Sequence, residues 1–237
     1  IIDRVVGAAL AEALRGVLMD RLPRHYGAGA SCHAILARLK VQAEDCGWHW
    51  IAVDDIRDFF PTVPRELAMQ CFMEEADSWG FPGLTLAQSG IMWLIRKLIY
   101  GHEGEARTIG LAQGSSFSPL VASIVLMKVL DSEMDHQVEN RMIMHRYADN
   151  THIQGLDRSE VRSAMDSVQS ILFQHGMTLK GLSTQPIDVR RPSSQTLLGV
   201  TTWWKDDRLL FDIPEVTWAR LQEKIYAAPT GTGANSA

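Results

Sequence analysis

Two strand-forming stretches that carry charge at their ends, far apart in the chain and separated by helical runs, constrain this sequence most. The first, WHWIAVDDIRDFF, is rich in aromatic and β-branched residues, lies between Gly47 and Pro61, and reads as a strand ending near Asp55. The second, MHRYADNTHIQG at Met144–Gly155, reads as strand, tight turn, strand, because Tyr147 and Ile153 flank the turn formers of Ala-Asp-Asn. A third region, QTLLGVTTWWKDDRLLFDI, reads as a hairpin turning at Lys205 to Asp207.

Around these the apolar period is helical. Val6, Leu10, Leu14 and Val17 share a face over residues 3–21, and AILARLKVQAE gives a second helix after the glycine-containing RHYGAGASCH. Pro64 at the first helical position opens a helix to about Trp79, and LTLAQSGIMWLIRKLIY gives another after GFPG. In SSFSPLVASIVLMKVLDSEMD, Ser118 is placed to cap and Pro119 to start the helix. Asp157 and Glu160 resemble a capping box for RSEVRSAMDSVQSILFQH, which Gly176 stops, and PTGTGANSA reads as a disordered tail. After the first two helices the order is strand, two helices, helix, hairpin, helix, hairpin. That is α+β, a small antiparallel sheet backed by helices, with no internal repeat.

With 237 residues, 46% of them hydrophobic, the chain can bury a core as one large domain or two small ones. Cys32, Cys46 and Cys71 are odd in number and widely spaced, which argues against a disulfide framework or zinc site and reads as buried thiols in a reducing compartment. No window reaches the length of a membrane span and the N-terminus carries no secretory signal, so the expectation is a cytoplasmic protein without a membrane partner. The chain opens inside a helical pattern without a start Met, as a piece of a longer protein would. A net charge of −5 is wrong for a self-sufficient nucleic-acid binder.

If the strands bearing Asp55 and Asp149 are neighbours, their carboxylates converge. Oxygen-only ligands at a solvent-facing sheet edge suit Mg²⁺, which binds through one or two carboxylates plus substrate phosphates. A pair of such ions about 3.5–4 Å apart activates an attacking oxygen and stabilises a leaving one in phosphoryl transfer. The bland alternative is a pair of solvated turn formers.

DIRDFF at Asp55, GLAQGSSFSPLVASIVLMKVLD at Gly110, RYADN at Arg146 and LLGV at Leu197 resemble, in order and spacing, palm motifs A, B, C and E of bacterial reverse transcriptases of the group II intron and retron type. IIDRVVGAALAEAL and HYGAGASCHAIL resemble the stretch before motif A, so the resemblance covers nearly the whole chain. It implies a right-hand polymerase palm with partial fingers: partial fingers over 1–47, palm over 48–213 with fingers-side helices at 64–100, and the start of the thumb with a disordered tail over 214–237. By resemblance Asp55, Asp149 and Asn150 are the catalytic set, and Asp55, Asp149 and the Ile56 carbonyl hold two Mg²⁺ or Mn²⁺ ions. Phe60 is the gate against a 2′-hydroxyl, Gln113 and Gly114 line the nucleotide pocket with Tyr147, and Leu198-Gly199 is the primer grip.

Other residues have weaker claims. Asp54 alternates to the opposite face as a solvated or helix-facing charge, and Asp58 is a third ligand or a loop or cap acid. Phe59 and Phe60 would ordinarily be core, and only the motif promotes Phe60. His33, His145 and His152 lack ligand spacing and read as structural. Trp203 and Trp204 stack on nucleic acid or pack beside a thumb, while Arg190 and Arg191 are the electrostatic candidates for a phosphate backbone. Three features depart from the family pattern: Asn150 stands where a second Asp is usual, GAGAS lacks basic residues, and no Lys stands near Ser183.

The resemblance implies an RNA-directed DNA polymerase that extends a DNA or RNA primer on an RNA template with deoxynucleotides, with an intron or other structured RNA as a further partner. The rival is a degenerate palm kept as a nucleic-acid or protein-binding scaffold.

Overall fold

The chain begins with two helices, α1 (Ile2–Met19) and α2 (Cys32–Asp45), and reaches its first strand, β1, at Trp50–Asp55. A short turn of helix, α3 (Phe59–Thr62), leads into α4 (Arg65–Ser78) and α5 (Gly90–Tyr100). Next comes α6 (Ser118–Leu126), a π-helical turn at Met127–Asp131 and α7 (Ser132–Gln137). The hairpin β2 (Met142–Tyr147) and β3 (Asn150–Gly155), helix α8 (Arg158–Gln174) and the short strand β4 (Ile187–Asp188) follow. The chain continues through β5 (Gln195–Leu197), β6 (Val200–Lys205), β7 (Arg208–Asp212) and α9 (Glu215–Ala227). This computed structural model describes residues 2–19, 31–78, 90–101, 106–112, 114–137, 141–181, 185–191 and 195–227. It divides into two compact units, Ile1–Asp188 and Val189–Ala237.

In the first unit the strands form one antiparallel sheet in the order β2-β3-β1-β4. Alternation sorts the side chains. Ala52, Met144 and Ile153 lie on one face, fully buried, in the core with α6 and α8. Truncating a side chain buried like Ile153 to Ala costs about 2–5 kcal/mol. The apolar stripes facing this core have helical period, Met92, Ile95 and Ile99 on α5 and Val161, Met165, Val168 and Leu172 on α8. Close packing at the start of α8 also explains Gly155, where an added Cβ would stand 2.9 Å from both Met142 Cβ and Val161 Cγ2.

The opposite face is partly covered by α2, through polar as well as apolar contacts. The Gln154 amide donates to the carbonyls of Leu39 and Trp48 at 3.0 and 2.8 Å, and His145 Nε2 lies 3.3 Å from Gln42 Oε1. His145, His152 and Gln154 are completely buried on this face. The next row toward the strand ends, Tyr147, Asn150 and Asp55, retains solvent access.

Several local expectations change. Ser118 does not cap α6. Phe117 holds the cap position, while the Ser118 hydroxyl donates to the Ala112 carbonyl at 2.7 Å, tying down the preceding loop. Pro64 lies just before α4 rather than within it, where its carbonyl accepts from the Ala68 N–H at 2.9 Å. Asp157 caps α8 by accepting from the N–H groups of Ser159 and Glu160 at 2.7 and 3.1 Å. Of the three thiols only Cys71 is buried; Cys32 opens α2 half-buried and Cys46 is exposed just past its end. Burial pushes the Cys71 thiol up to about 11.

The second unit holds a three-stranded antiparallel sheet, β5-β6-β7, with two two-residue turns instead of one hairpin. Leu198-Gly199 and Asp206-Asp207 all have positive φ, as type I′ turns require, and such turns match the twist of the strands they join. Every described residue of α9 is exposed. The expected disordered tail lies outside the described residues.

Candidate active site

Asn150 is not part of the tight turn. It is the first residue of β3, paired with Tyr147 on one side and Asp55 on the other. The turn is only Ala148 and Asp149, with φ of +53° at Ala148, because a positive φ at the first central position lets a two-residue loop follow the strand twist. The carboxamide therefore stands beside Asp55 in the sheet, and Asp149 projects from the loop.

The backbone around Asp55 is tied on both sides. The Ile56 N–H donates to the Asp149 carbonyl at 3.2 Å, the Arg57 N–H to the Thr178 carbonyl at 2.8 Å, and the Lys180 N–H to the Asp55 carbonyl at 2.7 Å. The Asp55 N–H donates to Asp54 Oδ1 at 2.8 Å. Asp54 is only 2% exposed and lies on the helix-facing side of the sheet, so the solvated alternative for it falls away. It serves as a buried acceptor for the strand end.

The Asp149 carboxyl lies within hydrogen-bonding reach of the Asp55 carboxylate. Burial pushes its pKa up, and the Asp55 charge pushes it further, while Lys180 pulls it down. The Lys180 ammonium is hydrogen-bonded to Asp55 Oδ2. Asp55 Oδ1 is buried without a hydrogen-bond partner. Two like charges in contact, one with an orphaned oxygen, fit a divalent cation between them. Asp55 and Asp149 are the carboxylates that meet there; among the described residues no cluster of three or more His, Cys, Asp or Glu side chains could hold a metal.

Ser183, where the family pattern has a Lys, lies outside the described residues, and the cation beside Asp55 is Lys180, three residues earlier. Its signal was the alternation Met177-Thr178-Leu179-Lys180. Met177 and Leu179 are buried while Thr178 and Lys180 are half-buried, and Leu179 bridges to Ile56 as a one-residue strand beside β1.

A cavity of about 390 Å³ is lined by Phe60, Ala112, Gly114, Ser115, Ser118 and Pro119. The Leu111 N–H donates to the Phe60 carbonyl at 2.8 Å, which fixes the loop before α6 against the segment after β1. Phe60 is half-buried, its ring centroid 5.6 Å from that of the buried Phe59. Gln113 lies outside the described residues. A larger cavity of about 570 Å³ includes Glu66, Gln70, Arg96 and Tyr100 but not Asp55, Asp149 or Phe60 in its lining.

Leu198, Gly199, Arg190, Arg191, Trp203 and Trp204 belong to the second unit, with Leu198-Gly199 forming its first tight turn and both arginines exposed. Asp58 is exposed before α3 in a left-handed conformation, φ +45°, with no capping bond from its side chain. Burial lowers His152 to about 4, so it is neutral at physiological pH.

Residues 1–186 match the family model described as reverse transcriptase (RNA-dependent DNA polymerase). The chain belongs to the reverse transcriptase family. No curated protein matches it. Among solved structures it is similar to apo telomerase from Candida tropicalis truncated from its C-terminal domain, at 13% identity and a TM-score of 0.59, over 89% of this chain and 45% of that one. It is also similar to telomerase from Candida albicans in complex with a fragment of telomeric RNA, at 12% identity and a TM-score of 0.56, over 89% of this chain and 37% of that one. An apo telomerase from Candida tropicalis gives a TM-score of 0.59 at 12% identity, with 40% of that chain covered. This chain spans less than half the length of these telomerases. At such identities the likeness shows the fold alone, the mixed α+β arrangement of a reverse transcriptase palm and fingers.

Proposed function

We propose that the chain carries the palm of an RNA-directed DNA polymerase, extending a primer 3′-hydroxyl with deoxynucleotides on an RNA template. The observation that carries this reading is the meeting of the Asp55 and Asp149 carboxylates at the open end of the sheet, with Asp55 Oδ1 unpartnered. Mg²⁺ or Mn²⁺ held by Asp55, Asp149 and the Ile56 carbonyl would supply activation of the attacking oxygen and stabilisation of the leaving one.

The protein's own groups divide the remaining work. Phe60 borders a cavity whose other walls are small residues, so a nucleotide sugar seated there meets an aromatic ring where a 2′-hydroxyl would extend. Gly114 and the serines that follow let backbone approach the base pair closely. Tyr147, 40% exposed beside Asn150, offers a ring at the same open end. Lys180 brings positive charge to a site that would otherwise hold two carboxylates alone.

Primer extension tests this reading. Template-dependent DNA synthesis by the parent protein, lost in both Asp55→Asn and Asp149→Asn, is expected. A parent that is silent on RNA and DNA templates with either metal would overturn it. The second reading, a catalytically weak palm that serves as a nucleic-acid or protein-binding scaffold, is favoured by Asn150, which puts a neutral amide beside Asp55.

A further inference from the structure

Behind the Ala148-Asp149 turn lies a buried ion pair. After α6 the helix widens for one π-helical turn, Met127–Asp131, before resuming as α7. A π-turn adds a residue to the turn and so resets which side chains face the sheet. Asp131, its last residue, is 1% exposed and faces Arg146 of β2, which is fully buried. The guanidinium binds both carboxylate oxygens, Nε to Oδ1 at 2.7 Å and Nη2 to Oδ2 at 2.5 Å. Its remaining arm, Nη1, donates to the Ala148 carbonyl at 2.6 Å.

That third bond reaches the turn from the core side. The Asp149 carbonyl is taken from another direction by the Ile56 N–H. The two consecutive carbonyls of the turn are thus fixed by different elements, one by a side chain anchored on the π-turn and one by the end of β1. Ala148 sits in a left-handed conformation that persists in a residue with a Cβ only where its surroundings over-determine it. A buried ion pair is seldom the most stable way to fill a core, since apolar side chains of similar volume commonly do as well or better. What apolar residues cannot supply here is the hydrogen bond to Ala148.

We infer that Asp131 and Arg146 are positioning residues, which aim the Asp149 carboxylate at Asp55 through the Ala148 carbonyl. This rests on the reading of Asp149 as a metal-holding carboxylate. Groups that orient a metal ligand typically change metal affinity or activity by about 10–100-fold when removed.

The test is a double substitution, Asp131→Leu with Arg146→Met, in the full chain. It leaves no unpaired buried charge, so folding is expected to survive. Mn²⁺ binding is read by the electron paramagnetic resonance of free Mn²⁺, and primer extension by kcat and KM for deoxynucleotide. The double variant is expected to melt within a few degrees of the parent, bind Mn²⁺ about tenfold or more weakly, and lose about 10–100-fold in kcat with KM within about twofold. Parent-like Mn²⁺ affinity and kcat in a folded double variant would overturn the inference and leave the polymerase reading intact. If the double variant fails to fold, Arg146→Lys serves instead. It keeps the charge facing Asp131 but not the fork that reaches Ala148, so it is expected to weaken Mn²⁺ binding, and parent-like affinity there is equally fatal. A parent whose Mn²⁺ binding is unchanged by Asp149→Asn would sink both the metal reading and this inference.

Discussion

Lys180 is joined to Asp55 twice, its backbone N–H donating to the Asp55 carbonyl at 2.7 Å and its ammonium to Asp55 Oδ2. The ammonium occupies an oxygen that a metal would also use. Lys180→Met should therefore tighten Mn²⁺ binding in the absence of nucleotide. The pair is partly exposed, and exposed pairs contribute little, so the gain should be roughly two- to fivefold. Weaker Mn²⁺ binding by the variant would show that the two cations do not compete.

Asp149 should cost the apo protein stability. An acid whose folded pKa is raised contributes stability at pH below its unfolded value and loses that contribution as pH rises through the folded value. At neutral pH the ionised form is the burdened one. Asp149→Asn should raise Tm at pH 7 in the presence of a chelator, and the difference should vanish below about pH 4. Mn²⁺ should raise Tm for the parent and not for the variant. A variant that melts below the parent at pH 7 would contradict the raised pKa.

Sugar choice depends on Phe60. Replacing it with Val opens the cavity wall that faces Gly114 and Ser115, and discrimination against ribonucleotides should fall by about ten- to a hundredfold. Competition between a deoxynucleotide and its ribonucleotide in single-nucleotide extension measures this. Unchanged discrimination would return Phe60 to the core, where its contact with Phe59 already gives it a packing role.

Asn150→Asp adds a carboxylate beside Asp55 in the sheet. The metal midpoint of primer extension should fall about tenfold, and the apo protein should melt lower because three like charges then share the strand ends. A midpoint that does not move would mean that the side chain at 150 points away from the metal.

The helices, the first strand and the hairpin were legible because apolar period and turn chemistry are local properties. Asp157 reads as a cap in sequence and caps in the structure. What was not legible depends on distant partners. Ser118 has the chemistry of a cap, but its hydroxyl goes to Ala112, a choice set by the loop fold. The placement of Asn150 in the strand turned on a single residue of loop length. The alternation around Leu179 spans too few residues to stand out as a strand, and this one-residue bridge becomes visible only beside Ile56. The π-turn at Met127–Asp131 has no compositional mark at all, and it shows itself through the pairing of Asp131 with Arg146.

The register of β1 against β3 has a consequence for biosynthesis. Asp55 pairs with Asn150, 95 residues further along (150 − 55), whereas the three strands of the second unit join neighbours through two-residue turns. On a ribosome adding about 5–20 residues each second, β1 waits about 5 to 20 seconds for the strand that pairs with it. For that interval the nascent chain presents WIAVDD as an unpaired edge. The two aspartates that end this strand place charge on that edge, and charge on an unpaired edge is what discourages pairing with other chains.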